Sequence, residues 1–170
     1  MLVFQTIFRQ TAVGSIVLCC AFAGCSGELE PEGMPKRHPT VIQFTQAGQP
    51  CDGASVRLHP ETPNNWAVGG STDASGTVEL KTYGKYPGVP EGKYKIIISK
   101  NERETVGAAP ASMYEVQQDE VYDLIDPVYS TPSGTPLSIE VKPGKNSFGP
   151  FDLGEKVRQK TVKPPGTPGM

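Results

Sequence analysis

Four cysteines, two histidines and a scatter of carboxylates are the groups in this 170-residue chain whose chemistry could exceed a structural role. His59 closes an apolar-polar alternation and His38 lies among prolines, so the two histidines are not offered at the spacing of a metal-ligand pair. Cys51 sits between Pro50 and Asp52 with no adjacent base or lysine to lower its thiol pKa, and it reads as incidental. No local Ser/His or Cys/His signature supplies an activated nucleophile. The expectation is therefore a protein that is not an enzyme, with no catalytic residue, no metal and no cofactor. Asp119, Glu120, Asp123 and Asp126 could supply hard oxygen ligands of the kind calcium accepts. They lack the D-x-D-x-D-G loop and read as a solvated acidic face. Trp66, Tyr83 and Tyr86 fall near loop or strand ends, where exposed rings can stack on sugars or anchor peptides. That reading requires the three rings to share an exposed face; a packing role leaves them buried or scattered.

Cys25 has a different context. Arg9 is followed by TAVGSIVLCCAFAG, an apolar run of small and aliphatic residues that ends at Gly24. Met1 to Gly24 thus reads as a targeting segment, too short for a membrane span of about 20 apolar residues. The sequence A-F-A-G-C resembles a bacterial lipobox, in which small residues precede a cysteine that receives a diacylglyceryl thioether; Phe22 stands where Leu is usual. Lipidation of Cys25 is expected, the alternative being ordinary cleavage after Ala23 that leaves a free thiol. Cys19 and Cys20 depart with the signal, and an acylated Cys25 leaves Cys51 without a disulfide partner. The expected partner is then the membrane, through the amino-terminal lipid, on the periplasmic or outer-membrane side of the envelope. A formal charge of −2 supplies no basic field for nucleic acid, and any protein or glycan partner stays open.

The elements that must carry these residues follow from composition and period. Seventeen prolines and 19 glycines punctuate the chain too often for long helices. Ser26 to Pro39, SGELEPEGMPKRHP, reads with Cys25 as a flexible tether. From Thr40 the period becomes two. Ala54, Val56 and Leu58 alternate with Ser55 and Arg57, and Val78 and Leu80 with Glu79 and Lys81. Tyr94, Ile96 and Ile98 oppose Lys95, Ile97 and Ser99, while Leu137, Ile139 and Val141 oppose Ser138 and Glu140. With TVIQFTQ, WAVGGS and NSFGPFDL this makes about seven half-buried strands separated by turn signals, the grammar of an all-β, antiparallel, seven-stranded β-sandwich over residues 40–153. Asp73-Ala74-Ser75-Gly76 reads as a hairpin turn, and Tyr94 as a corner tyrosine bonded to backbone.

Between residues 101 and 136 the alternation lapses, which suggests a long loop with a short helix over Glu115–Ile125 that Asp126-Pro127 ends. Residues 154–170, basic and then Pro-rich, read as a disordered tail.

The block from Val41 to Val157 resembles the transthyretin-like, carboxypeptidase-regulatory-like domain of many small bacterial lipoproteins. The phrases that carry the resemblance are QAGQPCDGASVRLHPE, GGSTDASGTVELKTYGKYPGVPEGKYKIIISK, IDPVYSTPSGTPLSIEVKPGKNSF and FDLGEKV. They include Gly53, Ala54 and Val56 at a strand entry, Thr72, Asp73 and Gly76 at a turn, and Pro90, Gly92, Tyr94 and Ile96 opening the next strand. The resemblance implies a seven-stranded, Ig-like sandwich and a secreted or lipid-anchored location. It implies no particular activity, because such domains serve as modules on many proteins. A related purine-pathway hydrolase uses active-site histidines and a closing Tyr-Arg-Gly-Ser; two histidines and the ending PPGTPGM do not lead one to expect that reaction here.

Overall fold

Alternating apolar residues can bury one face of a strand only if a second sheet covers it, and the core shows how this chain meets that demand. A computed structural model of the protein describes residues 30–106 and 118–161. The chain divides into two compact units, Met1–Met34 and Pro35–Met170. In the first, the described residues close a turn in which Met34 N–H donates to the Pro31 carbonyl (3.1 Å). Among the described residues 52% are strand and 3% helical, so the protein is all-β, as expected.

In chain order the strands are β1 (Arg37–His38), β2 (Thr40–Gln46), β3 (Gln49–Pro50), β4 (Ser55–Pro60) and β5 (Val68–Ser71). They continue with β6 (Thr77–Glu79), β7 (Lys81–Thr82), β8 (Tyr86–Pro87), β9 (Val89–Pro90) and β10 (Gly92–Ser99). The remainder are β11 (Asn101–Val106), β12 (Gln118–Asp123), β13 (Ser138–Val141), β14 (Asn146–Asp152) and β15 (Gln159–Lys160). One sheet of six strands runs β13-β10-β4-β5-β7-β8, antiparallel throughout. A second runs β14-β2-β3, with β6 also on β2. Ile42, Phe44 and Val78 from the second sheet share one core with Val56, Leu58, Tyr94, Ile96 and Ile98 from the first. This is a β-sandwich, and each stretch assigned a strand by its period contains one. Each fully buried aliphatic side chain contributes on the order of 1.5–3 kcal/mol. Gly70 lets the sheets close: a Cβ there would sit 2.7 Å from Val78 Cγ2.

Several elements differ from the sequence expectation. Strand β14 runs parallel to β2, because the chain leaves β13 in the first sheet and crosses to the second. Its register shifts between Phe148 and Phe151 at Gly149-Pro150, and Phe151 still meets Phe44 with ring centres 5.9 Å apart. Ile97, assigned to the polar face, is buried too, apart from the core cluster that holds Ile96 and Ile98.

Residues 101–136 are not one long loop. Strands β11 and β12 form an antiparallel hairpin that pairs Glu102 with Tyr122 and Thr105 with Asp119. The helix expected over Glu115–Ile125 is replaced by strand at 118–123; residues 115–117 lie outside the described residues. The hairpin is charged on both faces, so it shows no apolar period, and cross-strand pairing rather than burial holds it together. Asp126 does end the segment: its Oδ1 accepts the Val128 N–H (2.9 Å) at the start of a 3-10 helix, Pro127–Ser130.

The two ends are also more ordered than their composition suggested. Arg37–His38 pairs with Val89–Pro90, so the last residues of the expected tether belong to the fold. Gln159–Lys160 pairs with Tyr122 and Asp123, so two residues within the expected disordered tail form a strand. Cys25, the targeting segment and residues 162–170 lie outside the described residues.

Candidate aromatic binding site

The loop from β4 to β5 and the turn from β7 to β8 meet at one place, and they bring together two of the three aromatics singled out in the sequence. Asn64 Oδ1 accepts the Trp66 backbone N–H (3.0 Å), an Asx turn that sets the loop before β5. Across from it, Lys85 N–H donates to the Thr82 carbonyl (3.3 Å) to close a tight turn over Tyr83 and Gly84. Such a turn needs positive φ at both central residues; Gly84 has φ +69° and Tyr83 φ +54°.

Tyr83 is held in that conformation from both ends. Its N–H donates to the Ala67 carbonyl (2.7 Å) and its hydroxyl to the Asn65 carbonyl (2.7 Å). The ring meets Trp66 edge to face, with centroids 5.8 Å apart and planes at 62°, the geometry that aromatic quadrupoles favour. Yet Tyr83 is 44% exposed. A bulky residue in the left-handed region costs about 1–3 kcal/mol, and residues so held cluster at functional sites.

Tyr86 is placed differently. Its half-buried ring is engaged by two cations, Arg37 and Lys85, each 5.3 Å from the ring centre. Arg37 also donates from Nε to the Pro87 carbonyl (3.4 Å). Tyr86 therefore fastens β1 to the β8 edge, while Trp66 and Tyr83 form the pair.

Trp66 also borders a cleft of about 390 Å³, together with Lys36, His38, Asn64, Pro90 and Glu91. His38 is a functional candidate that sequence reasoning placed in the tether. It is 5% exposed, and its Nδ1 accepts the Gly144 N–H (3.1 Å), which puts the proton of the neutral ring on Nε2. No periodic apolar pattern surrounds it, so only the long-range pairing of β1 with β9 could have revealed its burial.

The other candidates are not assembled into a reactive group. Cys51 is a buried free thiol, and burial pushes its pKa up against the lowering effect of Lys100. His59 is exposed on β4 opposite Lys95, and no hydrogen bond joins it to Cys51 among the described residues. The four carboxylates each find a separate task. Asp119 accepts from Thr105 Oγ1 (3.1 Å), Glu120 pairs with Lys160 (2.6 Å), Asp123 accepts from Asn101 and Thr161, and Asp126 caps the 3-10 helix. The Lys160 contact, with the Tyr122 hydroxyl, holds the Glu120 carboxyl below its usual range. Among the described residues, no group of three or more His, Cys, Asp or Glu side chains is placed to hold a metal.

Comparison of the chain with family models, with curated proteins and with solved structures finds no match.

Proposed function

We propose that this chain is an exported, lipid-anchored protein of the bacterial cell envelope whose transthyretin-like sandwich is a non-enzymatic interaction module. The anchor reading rests on the A-F-A-G-C sequence at Cys25. Two or more acyl chains on that residue give stable attachment, where a single one is marginal. The observation that carries the interaction reading is Tyr83: a nearly half-exposed aromatic kept in a left-handed backbone beside Trp66, where glycine would fit at lower cost. The core has no need of that ring, so its value lies in what it contacts.

Two measurements test the halves separately. The mature protein should carry lipid mass at Cys25, and Cys25→Ser should move it from the membrane to the soluble fraction; a variant that still partitions wholly with membranes sinks the anchor. Soluble Cys25→Ser protein should co-sediment saturably with delipidated envelope fragments, and Trp66→Ala or Tyr83→Asn should remove that binding. Unchanged sedimentation of both variants would assign the interaction, if any, to another surface.

A further inference from the structure

The cleft beside Trp66 has a donor and acceptor set that selects a ligand class. Among the described residues that line it, Lys36 supplies the positive charge and Glu91 the negative one. A ligand with net charge gains from one and loses to the other, so the pair favours a neutral ligand rich in polar groups. His38 supplies a fixed donor. With Nδ1 committed to Gly144 and the ring all but buried, Nε2–H is the polar atom it can present to the cleft it lines. Asn64 is likewise oriented: its Oδ1 is engaged by the Trp66 N–H, which leaves Nδ2 as donor. Glu91 is exposed and accepts only. The Trp66 indole, packed against Tyr83, offers an apolar ring.

Hydroxyl groups both donate and accept, so a polyol can satisfy Glu91 and the His38 and Asn64 donors together. A polyproline-type peptide, the other ligand that aromatic grooves take, presents carbonyl acceptors and lacks N–H donors at its prolines. Its prolines would offer no donor to the Glu91 carboxylate, whereas a sugar hydroxyl does. The volume lies within the range of small-ligand sites, about 300–1,000 Å³.

We propose that this cleft binds a neutral saccharide, with one sugar ring laid on Trp66 and its hydroxyls shared between the Glu91 carboxylate and the His38 and Asn64 donors. The inference rests on the reading of the Trp66–Tyr83 end as the interaction surface, and it adds the ligand class.

Trp66 is the sole tryptophan of the chain, so intrinsic emission reports on this cleft alone. The full-length protein in detergent is titrated with maltotriose, cellotriose, xylotriose and chitotriose, and with a nonaproline peptide, by emission and by calorimetry. At least one saccharide should shift the emission saturably. Glu91→Ala, at an exposed position that the fold does not need, should weaken that saccharide about tenfold, the usual effect of losing a hydrogen bond to a charged group. Trp66→Ala should abolish the heat. A shift with nonaproline alone overturns the saccharide while leaving the interaction surface standing. Silence from all five probes overturns the saccharide too, and the envelope sedimentation experiment then decides the broader reading by itself. Saccharide binding that neither moves the emission nor weakens in Glu91→Ala overturns the assignment to this cleft.

Discussion

Arg158 lies over the ring of Tyr122, its guanidinium carbon 3.7 Å from the ring centre. The same side chain pairs with Glu102 (3.3 Å) and Glu104 (2.5 Å) of the neighbouring strand. One residue from the carboxyl-terminal segment thus grips both strands of the β11–β12 hairpin, and Lys160 adds its pair with Glu120. All of these groups are solvent-accessible, so the attachment is sensitive to screening.

Arg158→Ala should loosen the terminal strand without unfolding the sandwich. Amide exchange at Gln159 to Thr161, where Thr161 N–H donates to the Val121 carbonyl (2.7 Å), is expected to quicken. The melting temperature should move little, because exposed ion pairs contribute little to global stability. About 1 M salt, with a Debye length near 3 Å, should weaken the same strand in the wild type. Exchange at these amides that ignores both changes would show that the strand is held by its backbone pairing alone.

Acid should cost stability through carboxylates that work as acceptors in the folded state. Asp73 Oδ1 takes hydrogen bonds from Ser75 Oγ (2.6 Å), Ser75 N–H (2.9 Å) and Thr77 N–H (3.0 Å) in the β5–β6 turn. The Ser75 hydroxyl is the largest cause of a carboxyl pKa held below its ordinary 3.8. A group whose folded pKa is depressed contributes stability above its unfolded value and loses it as pH falls through the folded one. The wild type should therefore lose stability to urea as pH drops below 3.8, and Asp73→Asn should be less stable at pH 7 and flatter over that range. Parallel pH profiles for the two proteins would remove Asp73 as a cause.

Tyr94 is 1% exposed, and its hydroxyl donates to the Pro90 carbonyl (2.9 Å), a bond that closes the strand onto its own entry. Burial raises the phenol pKa, which keeps the donor protonated. Tyr94→Phe preserves the ring and orphans a carbonyl acceptor, so it should lower unfolding stability by about 1–3 kcal/mol with an unchanged denaturant slope. A neutral outcome would mean that water replaces the hydroxyl.

Cys51 should resist modification in the folded protein. It is 3% exposed, and burial shifts the thiol away from the reactive thiolate. Peptide mapping after iodoacetamide treatment should find Cys51 unlabelled in buffer and labelled in denaturant. Rapid native labelling would indicate that the turn around it opens locally.

Much of this molecule was legible residue by residue. The inward positions Val56, Leu58, Ile96, Ile98, Ile139 and Val141 follow from alternation, since strand geometry sends every second side chain to the same face. The Asp73 turn follows from the side chain's own reach to nearby N–H groups, and Gly76 takes φ +74° where the turn closes. The β11–β12 hairpin was not legible, because Glu102, Arg103, Glu104 and Asp119 carry no hydrophobic period and a short run such as Val121–Ile125 fits a helix as readily as a strand.

By itself, then, the sequence determined the strands that alternate into the core, the face that most of their apolar residues bury, the Asp73 turn, and that Cys25 follows an apolar run; these depend on neighbours within a few residues. Tertiary structure alone decided that β14 lies parallel to β2, that His38 is buried against Gly144, that Arg158 reaches Glu102 and Glu104, and that Trp66 meets Tyr83 while Tyr86 is engaged by Arg37 and Lys85. Apart from Lys85 beside Tyr86, each of those contacts joins residues from separate elements of the chain. A local pattern carries no information about which distant partner a strand edge, ring or charge will meet; the packing of the two sheets sets that.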